Sequence, residues 1–266
     1  MPRLKASRES CAWPLDIAQA VCDEAHKLGL RTSAHIESTE GVEVGLKAGV
    51  DTIEHGAPLT DELLRLFKKN GLGNASSLTC TLSPALPFAV LSPEKTHSTH
   101  VQKVNGRVVY EGVATATRQA LANGIPVGLG TDSACPFVTH YDMWREVVYF
   151  QRHTGVTPEF ALHTATLKNA QLLGVANETG SIETGKSADL IVLDANPLND
   201  LCALRNVEQV YMAGKPVKYK AKHLPKIDAE LDGIMDGLDN DPFVSEWNIA
   251  EEKKSLNPFA KRGTKE

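Results

Sequence analysis

The chain has few aromatic residues, 6% of 266, and no uncharged apolar run of about 18 residues, so no membrane span is expected. Its first residues, "MPRLKASRESCAW", hold no apolar core of the kind a secretory signal needs. Basic charge is not in excess: the formal net charge is -5, which offers no electrostatic footprint for nucleic acid. Paired cysteines are missing too. Cys11, Cys22, Cys80, Cys135 and Cys202 are odd in number and widely spaced, with no CxxC. A disulfide framework or a thiolate zinc site is therefore not expected, and a reduced cytoplasmic chain is. What remains is ordinary globular composition, 42% apolar and 23% charged.

From about residue 16 to 175 short apolar strands alternate with amphipathic helices. "DIAQAVCDEAHKLG" sets Ile17, Val21, Ala25 and Leu28 on one helical face, with Gly29 as the stop. "LRTSAH", "VDTIEHG", "SSLTCTLSP" and "IPVGLGTDS" read as four strands. Between them "TEGVEVGLKAG", "TDELLRLFKKNG" and "GVATATRQALANG" read as helices, the second capped by Thr60. "YDMWREVVYFQRH" and "TPEFALHTATLKNAQLLG" add two more, the latter with Thr157 as cap and Pro158 at the first position. This order predicts an α/β fold with a parallel sheet. Past Gly180 the texture becomes β, with turns at Gly185 and at Ala213-Gly214. Residues 83–106 carry three prolines and predict a long lid-like connection. The expected organisation is a barrel portion at 1–180, a β segment at 181–221, and a helical or loose tail at 222–266.

Chemistry is expected at the strand ends. His35 ends "RTSAH", His55 ends "DTIEH" and Asp132 ends "VGLGTD". In a parallel barrel the C-terminal strand ends face one mouth. Two imidazoles and a carboxylate are three protein ligands, the number a catalytic zinc takes while leaving a position for water. Water so bound ionises near neutral pH. His35, His55 and Asp132 are thus the candidate metal ligands. His140, in "CPFVTHYDMWRE", is the candidate substrate contact. Glu54 is expected to point away from His55 by strand alternation, toward a salt bridge behind the sheet. His26, His153 and His223 are expected on the surface, His163 in the core or on the surface. No chemistry is assigned to Arg145 or Glu146.

"AHIESTEGVEVGLKAGVDTIEHG", "GLGTDSA" and "ALHTATLKNAQLLGVANETGSIETGKSADLIVLDANPL" resemble the C-terminal half of the amidohydrolase superfamily, over roughly residues 17–216. The likeness is to its imidazolonepropionase-like and Xaa-Pro dipeptidase-like members. It implies a partial (β/α)8 barrel, equivalent to strands five to eight, followed by a small β-sandwich remnant. It implies His35 and His55 as metal histidines of the fifth and sixth strands. It implies Asp132 as the aspartate of the eighth, which binds metal and takes a proton from water. Gly180, Gly185, Lys186 and Asp189 match fold-level features of the return into the sandwich. The implied activity is metal-dependent hydrolysis of C–N bonds in a cyclic amide or a dipeptide-like small molecule. The cofactor would be a divalent metal: zinc, or iron, manganese or cobalt.

Two departures stand beside the match. The family's His-x-His of the first strand has no counterpart; the nearest pattern, His97-Ser98-Thr99-His100, falls in the 83–106 segment. The bridging lysine of the fourth strand has only Lys5, in "RLKAS", as a single-residue match. A catalytically inactive remnant with half a site is the first rival reading. An oxygen-using iron enzyme with a two-histidine, one-carboxylate triad is the second. A half barrel would leave strand edges and an inner apolar face uncovered, so a second copy or a complementing N-terminal half is the expected partner.

Overall fold

A computed structural model describes residues 13–69, 76–218 and 221–249. Lys5 and Cys11 lie outside them. The elements run α1 (Leu15–Lys27), β1 (Ser33–Ile36), α2 (Thr39–Ala48), β2 (Thr52–His55), α3 (Asp61–Phe67), β3 (Ser77–Cys80), α4 (Leu86–Val90), α5 (Pro93–Thr96), α6 (His100–Ala122) and β4 (Val127–Leu129). They continue with α7 (Met143–Thr154), α8 (Pro158–His163), a π-turn at Thr164–Lys168, α9 (Asn169–Leu173), β5 (Leu190–Leu193), β6 (Val207–Met212), β7 (Lys215–Pro216), α10 (Pro225–Gly237) and α11 (Pro242–Ile249). The strand order β1-β2-β3-β4 forms one sheet, with β1, β2 and β3 pairing in parallel; β5-β6-β7 form a separate antiparallel sheet. The fold class is α/β, as the sequence pattern predicts.

The chain divides into two compact units, residues 1–80 with 88–127, and 81–87 with 128–266. In the first, register decides which side chains share a face. Ser33 stands beside Thr52 and His35 beside Glu54, while Ala34 stands beside Ile53. The face carrying Ile53 and Leu78 is buried, with α2 packed on β1 and α6 on β3. α2 lies close because Gly45 has no side chain: a Cβ there would stand 2.7 Å from Ile36 Cδ1. The opposite face is polar. Ser33 donates to Glu54 at 2.6 Å, and the Ser77 hydroxyl lies 3.2 Å from that of Thr52. The apolar inner face expected of a partial barrel is therefore not found on β1 to β3, whose second face carries polar side chains.

Residues 83–106 are not an irregular lid. They form α4, α5 and the start of α6. Pro93 occupies the first turn of α5, where a missing N–H costs nothing. Thr99 and Gln102 close a reciprocal capping box at the start of α6. His97, in the left-handed region at φ 52°, ends α5, and His100 begins α6. The His97–His100 pattern thus marks a helix–helix junction.

In the second unit Asn169 does the work of an extra strand residue. Its Oδ1 accepts from the Leu129 N–H and its Nδ2 donates to the Leu129 carbonyl, both at 2.9 Å. Gly128 admits it: a Cβ there would lie 2.8 Å from Asn169 Oδ1. Ala213 and Gly214, both at positive φ, make the hairpin turn between β6 and β7. Asp189 accepts from the Ala213 N–H at 2.8 Å, so its role is structural, as expected. His153, expected on the surface, is fully buried on α7 with Nδ1 2.6 Å from the Tyr149 carbonyl. His26, also expected on the surface, is partly covered. Its Nε2 lies 2.9 Å from Asp51, whose carboxylate also takes the Thr32 N–H and hydroxyl.

Candidate metal centre

His35 is the third residue of β1, not its last, and its side chain is exposed on the polar face. His55 closes β2. By alternation its ring would follow Ile53 to the buried, helix-covered face. It does not, because His55 takes φ 68°. A left-handed residue at the strand end re-aims the side chain. The ring packs edge-to-face on His35, centroids 4.6 Å apart at 79°. Gly56 continues the turn at φ 86°, and its N–H donates to the carbonyls of Ile36 and Glu54 at 2.9 and 3.0 Å. A Cβ at Gly56 would meet Leu78 Cδ1 at 2.6 Å, so only glycine fits beneath the histidine.

Glu37 joins the pair. His35, Glu37 and His55 each offer a ligand atom within 4.8 Å of the others. Sequence reading by strand ends missed Glu37, which lies one residue past β1. Its two-residue spacing from His35 was the available signal, since residues i and i+2 share a face. The expectation for Glu54 is corrected: it shares the face of its neighbour His35 and pairs with Ser33, not with a cation behind the sheet. A cavity of about 570 Å3 opens along β1, lined in part by Trp13, Val21, Cys22, His35 and Glu37. That volume is in the range of small-molecule sites. Two imidazoles and a carboxylate this close together, with His35 exposed, Glu37 half-buried and His55 buried, are a donor set suited to a divalent cation.

Asp132 and His140 belong to the second unit. β4 ends at Leu129, so Asp132 stands three residues beyond the strand it was expected to end. It is exposed, at φ 55°, and its Oδ2 accepts from the Cys135 thiol at 3.2 Å. Ala134 and Phe137 in the same loop also have positive φ. His140 is exposed and packs edge-to-face on Tyr141, centroids 5.3 Å apart.

Glu146, to which the sequence assigned nothing, is fully buried on α7 and holds the segment that follows β3. Its carboxylate accepts from the N–H groups of Leu82 and Ser83 at 2.7 and 2.8 Å and from the Ser83 hydroxyl. Burial pushes its carboxyl up to about 7, and the three donors pull against that rise. Its neighbour Arg145 donates to Asp232 of α10 at 2.8 Å and pairs with Asp142.

The described residues thus form a parallel α/β sheet with a His–Glu–His cluster of possible cation donors at its strand ends. The chain matches the amidohydrolase family over residues 8–217, and it belongs to that family. It is 46% identical to a Bifidobacterium longum protein provisionally described as a prolidase. The match covers 83% of this chain and 55% of that one, with a TM-score of 0.80. A Xaa-Pro dipeptidase crystallised with methionine in its active site is 28% identical, at a TM-score of 0.66, over 78% of this chain and 49% of that one. The imidazolonepropionase of Streptococcus sanguinis is 26% identical over 82% of this chain and 49% of its own length. The chain thus spans about half the length of the relatives it matches. Among the described residues, no helix is long and apolar enough to cross a membrane.

Proposed function

We propose that the chain carries part of a metal-dependent hydrolase of the amidohydrolase type, acting on C–N bonds in small molecules. The carrying observation is the approach of His35, Glu37 and His55, with His55 turned into place by a left-handed backbone. His35 and His55 would hold a divalent cation, zinc by preference for such nitrogen and carboxylate donors, with Asp132 assigned as a further ligand. When bound, that cation supplies Lewis acidity to a scissile carbonyl and to water. Asp132, on the loop after β4, is assigned as the group that takes a proton from water and returns it to the leaving nitrogen. His140 is assigned to substrate. A dipeptide ending in proline is the favoured class, because the structural relatives above include a Xaa-Pro dipeptidase. A cyclic amide is the alternative, by likeness to imidazolonepropionase.

His55→Ala should lower metal content, measured by plasma mass spectrometry after dialysis, from near one equivalent to under about a tenth. Metal and Xaa-Pro hydrolysis that both survive this change would sink the reading. The inactive remnant stays the second reading, because these 266 residues hold no His-x-His. Wild-type chain that retains no cation would support it.

We assign 1–180 to the barrel portion, 181–221 to a β-sandwich segment and 222–266 to a C-terminal extension. A second copy or a separate N-terminal half is proposed as partner. Exposed apolar side chains along α1 (Ile17, Val21, Leu28) and on β5 and β6 support it. A cytoplasmic setting is proposed because the five cysteines are odd in number, widely spaced and without a CxxC pattern.

A further inference from the structure

We infer that α10 is a tether for the loop carrying Asp132 and His140, with Tyr141 and Asp228 as its positioning residues. The inference rests on the proposed role of Asp132 for its effect on turnover, and on geometry alone for the tether. The loop between β4 and α7 holds three residues other than glycine at positive φ: Asp132, Ala134 and Phe137. Ala134 and Phe137 have no polar side chain to compensate for that conformation. Such backbone persists only where its surroundings over-determine it. The loop's own hydrogen bonds are weak in part. Ala134 N–H to the Val138 carbonyl and Cys135 N–H to the Asp132 carbonyl are both 3.3 Å.

Within the loop the Val138 N–H reaches the Cys135 carbonyl at 2.9 Å and the Thr139 hydroxyl reaches Asp142 at 2.7 Å; further anchors come from outside it. The Tyr141 hydroxyl donates to Asp228 Oδ1 and accepts from the Leu224 N–H, both at 2.9 Å. One oxygen is thus bracketed by the N-cap and the first turn of α10. The Tyr141 ring lies tilted against His223, centroids 4.3 Å apart, and His223 Nδ1 sits 3.3 Å from Asp228 Oδ2. The same ring also meets His140 edge-to-face. A second tie closes the loop's end: Asp142 pairs with Arg145, which donates to Asp232 of α10. Arg205 grips Asp232 through two nitrogens at 3.0 and 3.1 Å. α10 is itself fixed, with Leu231, Ile234 and Met235 buried. The family match ends at residue 217 and α10 starts at Pro225. The tether is therefore built from chain outside the matched segment, and it holds a loop inside it.

The test uses the full chain. In Tyr141→Phe and in Asp228→Ala, amide hydrogen exchange over 130–142 should rise about tenfold or more, as expected when a local anchor is lost. Exchange within α7 should stay within about twofold. With a glycyl-proline probe, kcat should fall about tenfold, with KM and metal content within about twofold, because misplacement acts on the reacting geometry. Asp228→Asn keeps an acceptor for the tyrosine and should restore most of the protection. Unchanged exchange over 130–142 in both disruptive variants overturns the tether. Faster exchange throughout α7 also overturns it, since that marks global destabilisation. Wild-type chain that fails to hydrolyse the probe overturns the Xaa-Pro substrate reading only; the exchange result then still decides the tether.

Discussion

The two sheets leave different things uncovered. On β1 to β3 the apolar face, Ile53 and Leu78, is sealed by helices, while the other face presents Ser33, His35, Thr52 and Glu54. On β5 and β6, Ile191 and its partner Val210 are apolar and open, at 51% and 36% exposure, and Met212 beside them reaches 63%. A polar face can stand in water indefinitely; a row of aliphatic side chains is a surface awaiting a cover. The comparison says that the parallel sheet is finished as a fold and open as a site. The antiparallel sheet leaves its aliphatic side chains exposed.

Three measurements sharpen this contrast, in descending size. Leu78→Ala in the sealed face should cost about 3 kcal/mol in denaturant unfolding, whereas Val192→Ala should change stability by under about 0.5 kcal/mol. Equal losses would erase the distinction. Glu146 comes next. Its carboxyl is held near 7 in the folded chain, above its ordinary 4.5, so the folded state binds the extra proton between those values. Stability from this group is fully present below pH 4.5 and is lost as pH rises through 7. The loss is on the order of 3 kcal/mol. Glu146→Gln should flatten that slope in thermal melts from pH 5 to 8 relative to wild type. Last, Ile191→Lys with Val210→Lys should shift sedimentation velocity toward monomer without moving the melting temperature by more than about 3 °C. The same charges at Thr52 should leave the sedimentation unchanged. A wild-type chain that already sediments as a cooperative monomer would remove the need for any cover on β5 and β6.

Much of this was legible beforehand. Period-two and period-3.6 patterns locate β1 through β3 and α1 through α3, with boundaries off by up to about four residues, because the pattern marks the packed face and not where the hydrogen-bonded ladder stops. Thr60, Thr157 and Gly49 mark their helix ends as side-chain chemistry dictates. The 83–106 segment was misread because its prolines look like loop punctuation, yet Pro93 sits where a helix tolerates proline. Glu37 was missed because it follows its strand instead of ending it. Glu146 and Asn169 were missed for a different reason. Each satisfies backbone groups far away in sequence, Ser83 and Leu129, and no local pattern encodes such a partner. The turn of His55 lies between these cases: "HG" hints at left-handed backbone, but where the ring lands depends on tertiary geometry.

The left-handed turn at His55 has a genealogical consequence. Both imidazoles of the cluster, and the carboxylate beside them, arise from one uninterrupted strand–helix–strand stretch, residues 33–55. That stretch can be inherited as one piece, while the turn of His55 also leans on Leu78 of β3, against which Gly56 packs. Changes in chain length elsewhere need not disturb it.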